Sequence, residues 1–101
     1  MDDDYQRLRQ DADKLFYHFK DHVDDKSSDA AQSLEKDVRA IVDDFEAQKK
    51  PRSIEDRIKR VQQTLRSLDN AASPVMDAGD IDELVDQYED LRQDLRELDN
   101  Y

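Results

Sequence analysis

At 101 residues, the chain holds enough material for one domain core and not for two. It carries a formal net charge of −11, with 43% charged and 36% apolar residues. One Gly and two Pro are too few turn formers for an all-β fold, and the lack of Cys excludes a disulfide framework and thiolate chemistry. The chain begins with Met1 and has no apolar run long enough for a signal peptide or a membrane span, so a soluble, cytoplasmic protein is expected. So polar a composition borders on the disordered class. The regular placing of its few apolar residues argues for a fold instead.

The first predicted helix spans about 4–23. Tyr5, Leu8, Ala12, Leu15, Phe19 and His22 or Val23 recur at spacings of three and four, which is a heptad seam, and Phe16 widens the stripe. Asp2, Asp3 and Asp4 sit where the helix dipole favours negative charge.

The second helix is expected over 28–48, with Ala31, Leu34, Val38, Ile41 and Phe45 on its seam and Val42 alongside. The intervening stretch, Asp24 to Asp29, has no Gly or Pro. Ser27 or Ser28 can serve as an N-cap there. Yet Val23, Ser27, Ala30 and Leu34 also keep helical spacing, so one continuous helix of more than forty residues is the alternative to a break.

Lys49-Lys50-Pro51-Arg52 is a firmer boundary, because Pro51 removes an amide donor and disfavours a helical Lys50. Ser53 is then expected to cap a third helix over 53–69, with Ile54, Ile58, Val61, Leu65 and Leu68 inward. Asn70 is expected to end it in the left-handed conformation, and Ser73-Pro74 to enforce the stop. Asp80 is the expected cap of a fourth helix over 80–99, carrying Ile81, Leu84, Tyr88, Leu91, Leu95 and Leu98 with Val85 beside them. The expected fold is therefore all-α: an antiparallel up-and-down bundle of four helices, or three if the first two are continuous.

Residues 61–70 and 91–100 match at six of ten positions at an offset of thirty. Either a duplication or the restricted choices of heptads and caps accounts for this.

Charge is unevenly spread. Residues 1–50 hold fourteen acids and nine bases, 51–75 three and five, and 76–101 ten and two. Arg52, Arg57, Lys59, Arg60 and Arg66 make helix 3 a basic strip. Asp77, Asp80, Asp82, Glu83, Asp86, Glu89, Asp90 and Asp94 make the fourth segment acidic. The structural expectation is that the basic strip packs between acidic neighbours and selects the pairing. The functional expectation is that helix 4 presents Asp82, Asp86, Glu89 and Asp90 to a cationic partner. Direct nucleic-acid binding through helix 3 is not expected, since the acidic remainder repels phosphate. Asp outnumbers Glu by twenty-one to six, although Asp is the poorer helix former.

His18 and His22 stand four apart on one helical face, with Asp25 as a third candidate metal ligand. Phe19 occupies the position where a metalloprotease motif needs Glu, and no repeated Glu-x-x-His occurs, so neither a metal nor a cofactor is expected. Adjacent acids such as Asp43-Asp44 point about a hundred degrees apart on a helix and do not converge. Asp77 to Asp82 lacks the spacing of a calcium loop. No nucleophile–His–acid set is recognisable.

Tyr17 lies off the seam beside Phe16, and helix 1 holds four of the seven aromatics. Tyr17 and Phe16 are candidate interface residues. Phe16, Val42 and Val85 are expected as leftover apolar flanks, which makes a homodimer plausible. Taken together, these features point to a non-enzymatic protein-interaction or regulatory module. The alternatives are a nucleic-acid mimic that occupies a cationic DNA-binding protein, and a metal-binding bundle built on His18 and His22.

Overall fold

In the computed structural model, which describes residues 2–71 and 75–99, the protein forms four helices: α1 (Asp2–His22), α2 (Asp29–Glu46), α3 (Pro51–Asn70) and α4 (Ala78–Asp99). They make the antiparallel up-and-down bundle that the apolar spacing predicts. α1 contacts α2 and α4, and α3 contacts α2 and α4, so the helices form a closed ring.

Each helix turns one stripe inward. Leu8, Ala12, Leu15 and Phe19 meet Leu34, Val38, Ile41 and Phe45 from α2, Ile54, Ile58, Val61 and Leu65 from α3, and Ile81, Leu84, Tyr88 and Leu95 from α4 in a single cluster. Burial of these side chains is the main driving force for a chain so poor in apolar residues. Three core members come from outside the helices: Val23, just past α1, is 8% exposed, and Val75 and Met76, in the α3–α4 connection, are each 3% exposed.

The expected apolar flanks are not left over. Phe16, Val42 and Val85 are all buried, at 7%, 1% and 8% exposure. The seams are wider than a strict two-in-seven pattern, as a globular bundle requires. These residues therefore supply no exposed surface for a homodimer.

The chain breaks between α1 and α2. Asp25 folds its carboxylate back onto the Ser27 amide (3.2 Å) and hydroxyl (2.8 Å), and the Ser28 hydroxyl accepts the Ala31 amide at 3.0 Å as the N-cap of α2. The Asp24 amide donates to the Val75 carbonyl at 2.8 Å, which ties this connection to the one preceding α4.

Four helix ends differ from expectation. α2 stops at Glu46 with a Schellman turn: the Gln48 amide bonds the Phe45 carbonyl, and the Lys49 amide the Asp44 carbonyl. Gln48 takes the left-handed position with φ 54°. α3 starts at Pro51 and not at Ser53. Proline at the first helical position sacrifices no hydrogen bond, so Lys50 serves as an extended N-cap without a side-chain contact and Ser53 lies inside the helix. Asn70 is the last helical residue and is not left-handed; Ala71 caps α3 with φ −83°. α4 begins two residues before Asp80, which sits in its first turn instead of capping it. Ser73-Pro74 and Asn100 lie outside the described residues.

Candidate interaction surfaces

His18 and His22 do share a face, but they stack on each other. Their ring centroids are 4.3 Å apart with planes at 21°, and His22 Nδ1 donates to the His18 carbonyl at 2.8 Å. In near-parallel rings the in-plane lone pairs run side by side and do not converge on a point ~2.0–2.1 Å from both nitrogens, as a zinc ion requires. Asp25 is not on that face, because α1 ends at His22 and the Asp25 carboxylate is engaged by Ser27. Among the described residues, no group of three His, Asp or Glu side chains is placed to hold a metal.

The bond to the His18 carbonyl raises the His22 pKa above its ordinary value. Burial opposes that shift, and Asp80, Asp21 and Glu83 reinforce it. His22 thus reports the position of α4: Asp80 and Glu83 reach it from the first turns of that helix.

Tyr17 is 55% exposed and is the one exposed large hydrophobic residue among those described. It tilts against Phe16 with centroids 5.6 Å apart. The buried Phe16 ring is covered by Lys20 Nζ at 5.4 Å and Arg39 Cζ at 5.5 Å. Phe16 is therefore a core residue beneath two cations, and only Tyr17 of the pair is available to a partner.

The expected packing of basic α3 between acidic neighbours is met on the α2 side, where Arg57 pairs with Asp44, and reversed on the α4 side. Across the α3–α4 contact, the acid comes from the basic helix and the bases come from the acidic helix. Glu55 of α3 accepts Arg96 Nε at 2.7 Å and lies 3.5 Å from Arg92 Nη2. Arg92 Nη1 donates to the Gln62 amide oxygen and to Glu89, both at 2.9 Å, while Gln62 Nε2 bonds the Val85 carbonyl at 3.0 Å. Arg92 and Gln62 are buried, at 8% and 2% exposure. Sequence reasoning missed this network. Its one signal was that Arg92 and Arg96 are the only bases in α4.

Of the α3 basic strip, only Arg57 makes an ion pair, to the nearly buried Asp44 of α2 at 2.6 Å. Arg52, Lys59, Arg60 and Arg66 are exposed and enter no ion pair among the described residues. The α1–α2 contact carries Arg9–Glu46 at 3.0 Å and Lys20–Glu35 at 3.9 Å.

The bases of α4 being committed to α3, its outward face is left to acids. Asp82, Asp86 and Asp90 are exposed and enter no ion pair among the described residues, and Glu83 and Glu97 of the same helix are exposed as well. Glu89, the remaining candidate, is turned toward α3 and held by Arg92 and Gln62. Asp82, Asp86 and Asp90 follow one another at i, i+4 and i+8, so they form a row with a rise of ~6 Å per step.

No ion pair joins α1 to α4 among the described residues. An open cavity of about 240 Å³ lies there, walled by Asp11, Lys14 and Leu15 on one side and Gln87, Asp90, Leu91 and Asp94 on the other. Four buried side-chain atoms have no hydrogen-bond partner among the described residues: Gln87 Oε1 at this cavity, His18 Nε2 on α1, Tyr88 Oη in the core, and Arg92 Nε at the α3–α4 contact. No helix among the described residues is long and apolar enough to cross a membrane. Compared with known protein families, curated proteins and solved structures, the chain matches none of them.

Proposed function

We propose that this protein works by binding and not by catalysis: a non-enzymatic interaction module whose outward α4 face docks on a cationic surface of another protein. The observation that carries this reading is the carboxylate row Asp82, Asp86 and Asp90, without an ion pair among the described residues, from which both bases of the helix have been withdrawn. Like charges at i and i+4 destabilise a helix by ~0.2–0.5 kcal/mol per pair. A row of them without a compensating base works against the fold, which fits a surface shaped by a partner. Tyr17, exposed on α1, offers a second and smaller aromatic contact.

The spacing of the row favours one specific version of this reading. Carboxylates repeated every ~6 Å along a rod present a regular line of negative charge, as a nucleic-acid strand does. The partner on this version is a DNA- or RNA-binding protein whose cationic groove the α4 face occupies.

The test compares the protein with a variant carrying Asp82→Asn, Asp86→Asn and Asp90→Asn, each used to capture proteins from its source cells. A partner retained only by the unsubstituted protein, released by rising salt and displaced by double-stranded DNA supports the mimic. Release by salt without displacement by DNA supports docking on a different cationic surface. Equal capture by both forms sinks the α4 reading.

A further inference from the structure

We propose that α1 can leave its place in the bundle and be exchanged between two copies of this chain, with α1 and α2 fusing into one long helix in the exchanged dimer. Three independent observations lead to this.

The first is the weakness of the α1–α4 seam. α1 is terminal, and its seam with α4 is closed by no ion pair among the described residues, whereas each of the other three seams has at least one. The seam holds Gln87 Oε1, and α1 holds His18 Nε2, both unpartnered among the described residues; three carboxylates, Asp11, Asp90 and Asp94, face the cavity of the seam with Lys14 as the one base. A buried polar atom without a partner costs free energy in the closed state, and crowded like charges add to that. Separation of α1 from α4 relieves both, at the loss of the attraction of Asp80 and Glu83 for His22, and so lowers the cost of opening. The exchanged dimer closes the same seam again and draws its added stability from the fused hinge.

The second is the hinge. Residues 23–28 contain no Gly and no Pro. The apolar spacing of three and four runs unbroken through them: Leu8, Ala12, Leu15, Phe19, Val23, Ser27, Ala30, Leu34, Val38, Ile41 and Phe45, with Ser27 the single polar member. In the closed form Ala30 is exposed and Ala31 takes its place in the core. The turn is held by a short set of contacts: two local ones, the Asp25 carboxylate on Ser27 and the Ser28 cap, and two to the rest of the bundle, the Asp24–Val75 backbone bond and the buried Val23 side chain. The sequence is thus compatible with both a turn and a continuous helix.

The third is that the occupant of the vacated groove is already defined. An α1 from a second copy remakes the same core contacts, together with Arg9–Glu46 and Lys20–Glu35 between chains. Two fused helices of about 45 residues, each ~67 Å long, lie antiparallel, so that each α1 segment runs against the α2 of the other chain with the polarity it has in the closed form.

The test uses a chain with Tyr17→Cys and Lys36→Cys, both exposed positions in a protein otherwise free of cysteine, spin-labelled and mixed with excess unlabelled chain. Combining Asp25→Ala, Ser27→Ala and Ser28→Ala in both removes the side-chain turn contacts and the cap, leaves only the Asp24–Val75 backbone bond and the Val23 packing to hold the turn, and favours the helical hinge. The dimer dissociation constant is expected to fall by roughly tenfold or more, and the intrachain label distance in the dimer to lengthen to ~28 Å. A dimer that keeps the short distance of adjacent antiparallel helices overturns the proposal, as does a hinge variant that stays monomeric at millimolar concentration. Should the triple variant fail to fold, Ser28→Ala alone is measured the same way against Ser27→Pro, which breaks the helical hinge. Equal dimerisation of those two overturns the proposal as well.

Discussion

Arg92 donates from Nη1 to the amide oxygen of Gln62 at 2.9 Å, and the two residues are matching positions, thirty apart, in the similar stretches of α3 and α4. Two antiparallel helices with similar sequences pack about an approximate two-fold axis, and equivalent residues near that axis meet each other. Here the meeting point is where the two stretches differ, Gln in one and Arg in the other, so a neutral acceptor faces a cationic donor. Removing Arg92 alone takes the donor from the buried Gln62 amide oxygen and from Glu89, while Glu55 keeps Arg96. Arg92→Ala is expected to destabilise the protein by about 2–4 kcal/mol in urea unfolding. Replacing Arg92, Gln62 and Glu55 together by Leu is expected to restore most of that loss, because an apolar contact needs no partner. A triple variant less stable than Arg92→Ala contradicts this.

Tyr88 is expected to respond in the opposite way to an ordinary core tyrosine. It is 1% exposed, its hydroxyl has no partner among the described residues, and burial pushes the phenol pKa up. The ring contributes packing and the oxygen contributes a desolvation cost. Tyr88→Phe is expected to leave stability unchanged or to raise it by up to about 1 kcal/mol. A loss of 1 kcal/mol or more in urea unfolding shows that the hydroxyl is hydrogen-bonded in solution.

Gln48 holds a position that glycine fills at lower cost. With φ 54° it is left-handed, and its amide closes the Schellman turn after α2. A side chain there costs ~1–2 kcal/mol relative to a right-handed conformation. Gln48→Gly is expected to raise the melting temperature by several degrees, since ~1 kcal/mol corresponds to about 4–8 °C in a domain of this size. Gln48→Ala keeps the Cβ and is expected to bring no such gain.

The sequence carried the frame of this structure further than its surfaces. Apolar spacing located every inward-facing stripe from Leu8 to Leu95, because burial selects residues by one property that a period reveals. Helix ends were legible where a side chain caps the backbone, as at Ser28. They were not where backbone geometry alone decides, as at Gln48 and Ala71. Nor did the stretch before α4 betray that Val75 and Met76 join the core. Charge was the least legible. The bulk sign of α3 and α4 suggested basic against acidic, yet the contact is made by Glu55, Arg92 and Arg96, the minority charges of each helix. Pairing depends on which few side chains flank the seam and not on the net charge of the helix.

His22 gives the fold a pH dependence with a definite sign. Its pKa is raised in the folded protein by the bond to the His18 carbonyl, opposed by burial and assisted by Asp80, Asp21 and Glu83. A raised folded pKa means that the proton favours the folded state. The contribution is fully present below the unfolded value of about 6.5, and it is lost as pH rises through the folded pKa. Relative to a His22→Gln variant, the protein is expected to be more stable at pH 5.5 than at pH 8. Asp80→Asn is expected to shrink that difference and to lower the His22 midpoint seen by NMR titration. A His22 midpoint below the ordinary histidine value reverses the sign and excludes this account.

The α4 carboxylate row allows stability and binding to be separated. Asp86 has Asp82 four residues before it and Asp90 four residues after it, all three exposed and without an ion pair among the described residues. Asp86→Lys turns two repulsive pairs into attractive ones, a gain of about 1 kcal/mol at low ionic strength from ~0.2–0.5 kcal/mol for each pair removed and each pair formed. The gain is expected to shrink toward 1 M salt, where the screening length falls to about 3 Å. If the row exists to meet a cationic partner, the same substitution weakens binding while it strengthens the fold. Such a trade-off is characteristic of residues kept for function and not for stability. Partner affinity and urea stability measured on this one variant therefore test the role of α4 directly. A loss of both properties together indicates that Asp86 supports the bundle, and a gain in stability with unchanged affinity removes the row from the binding surface.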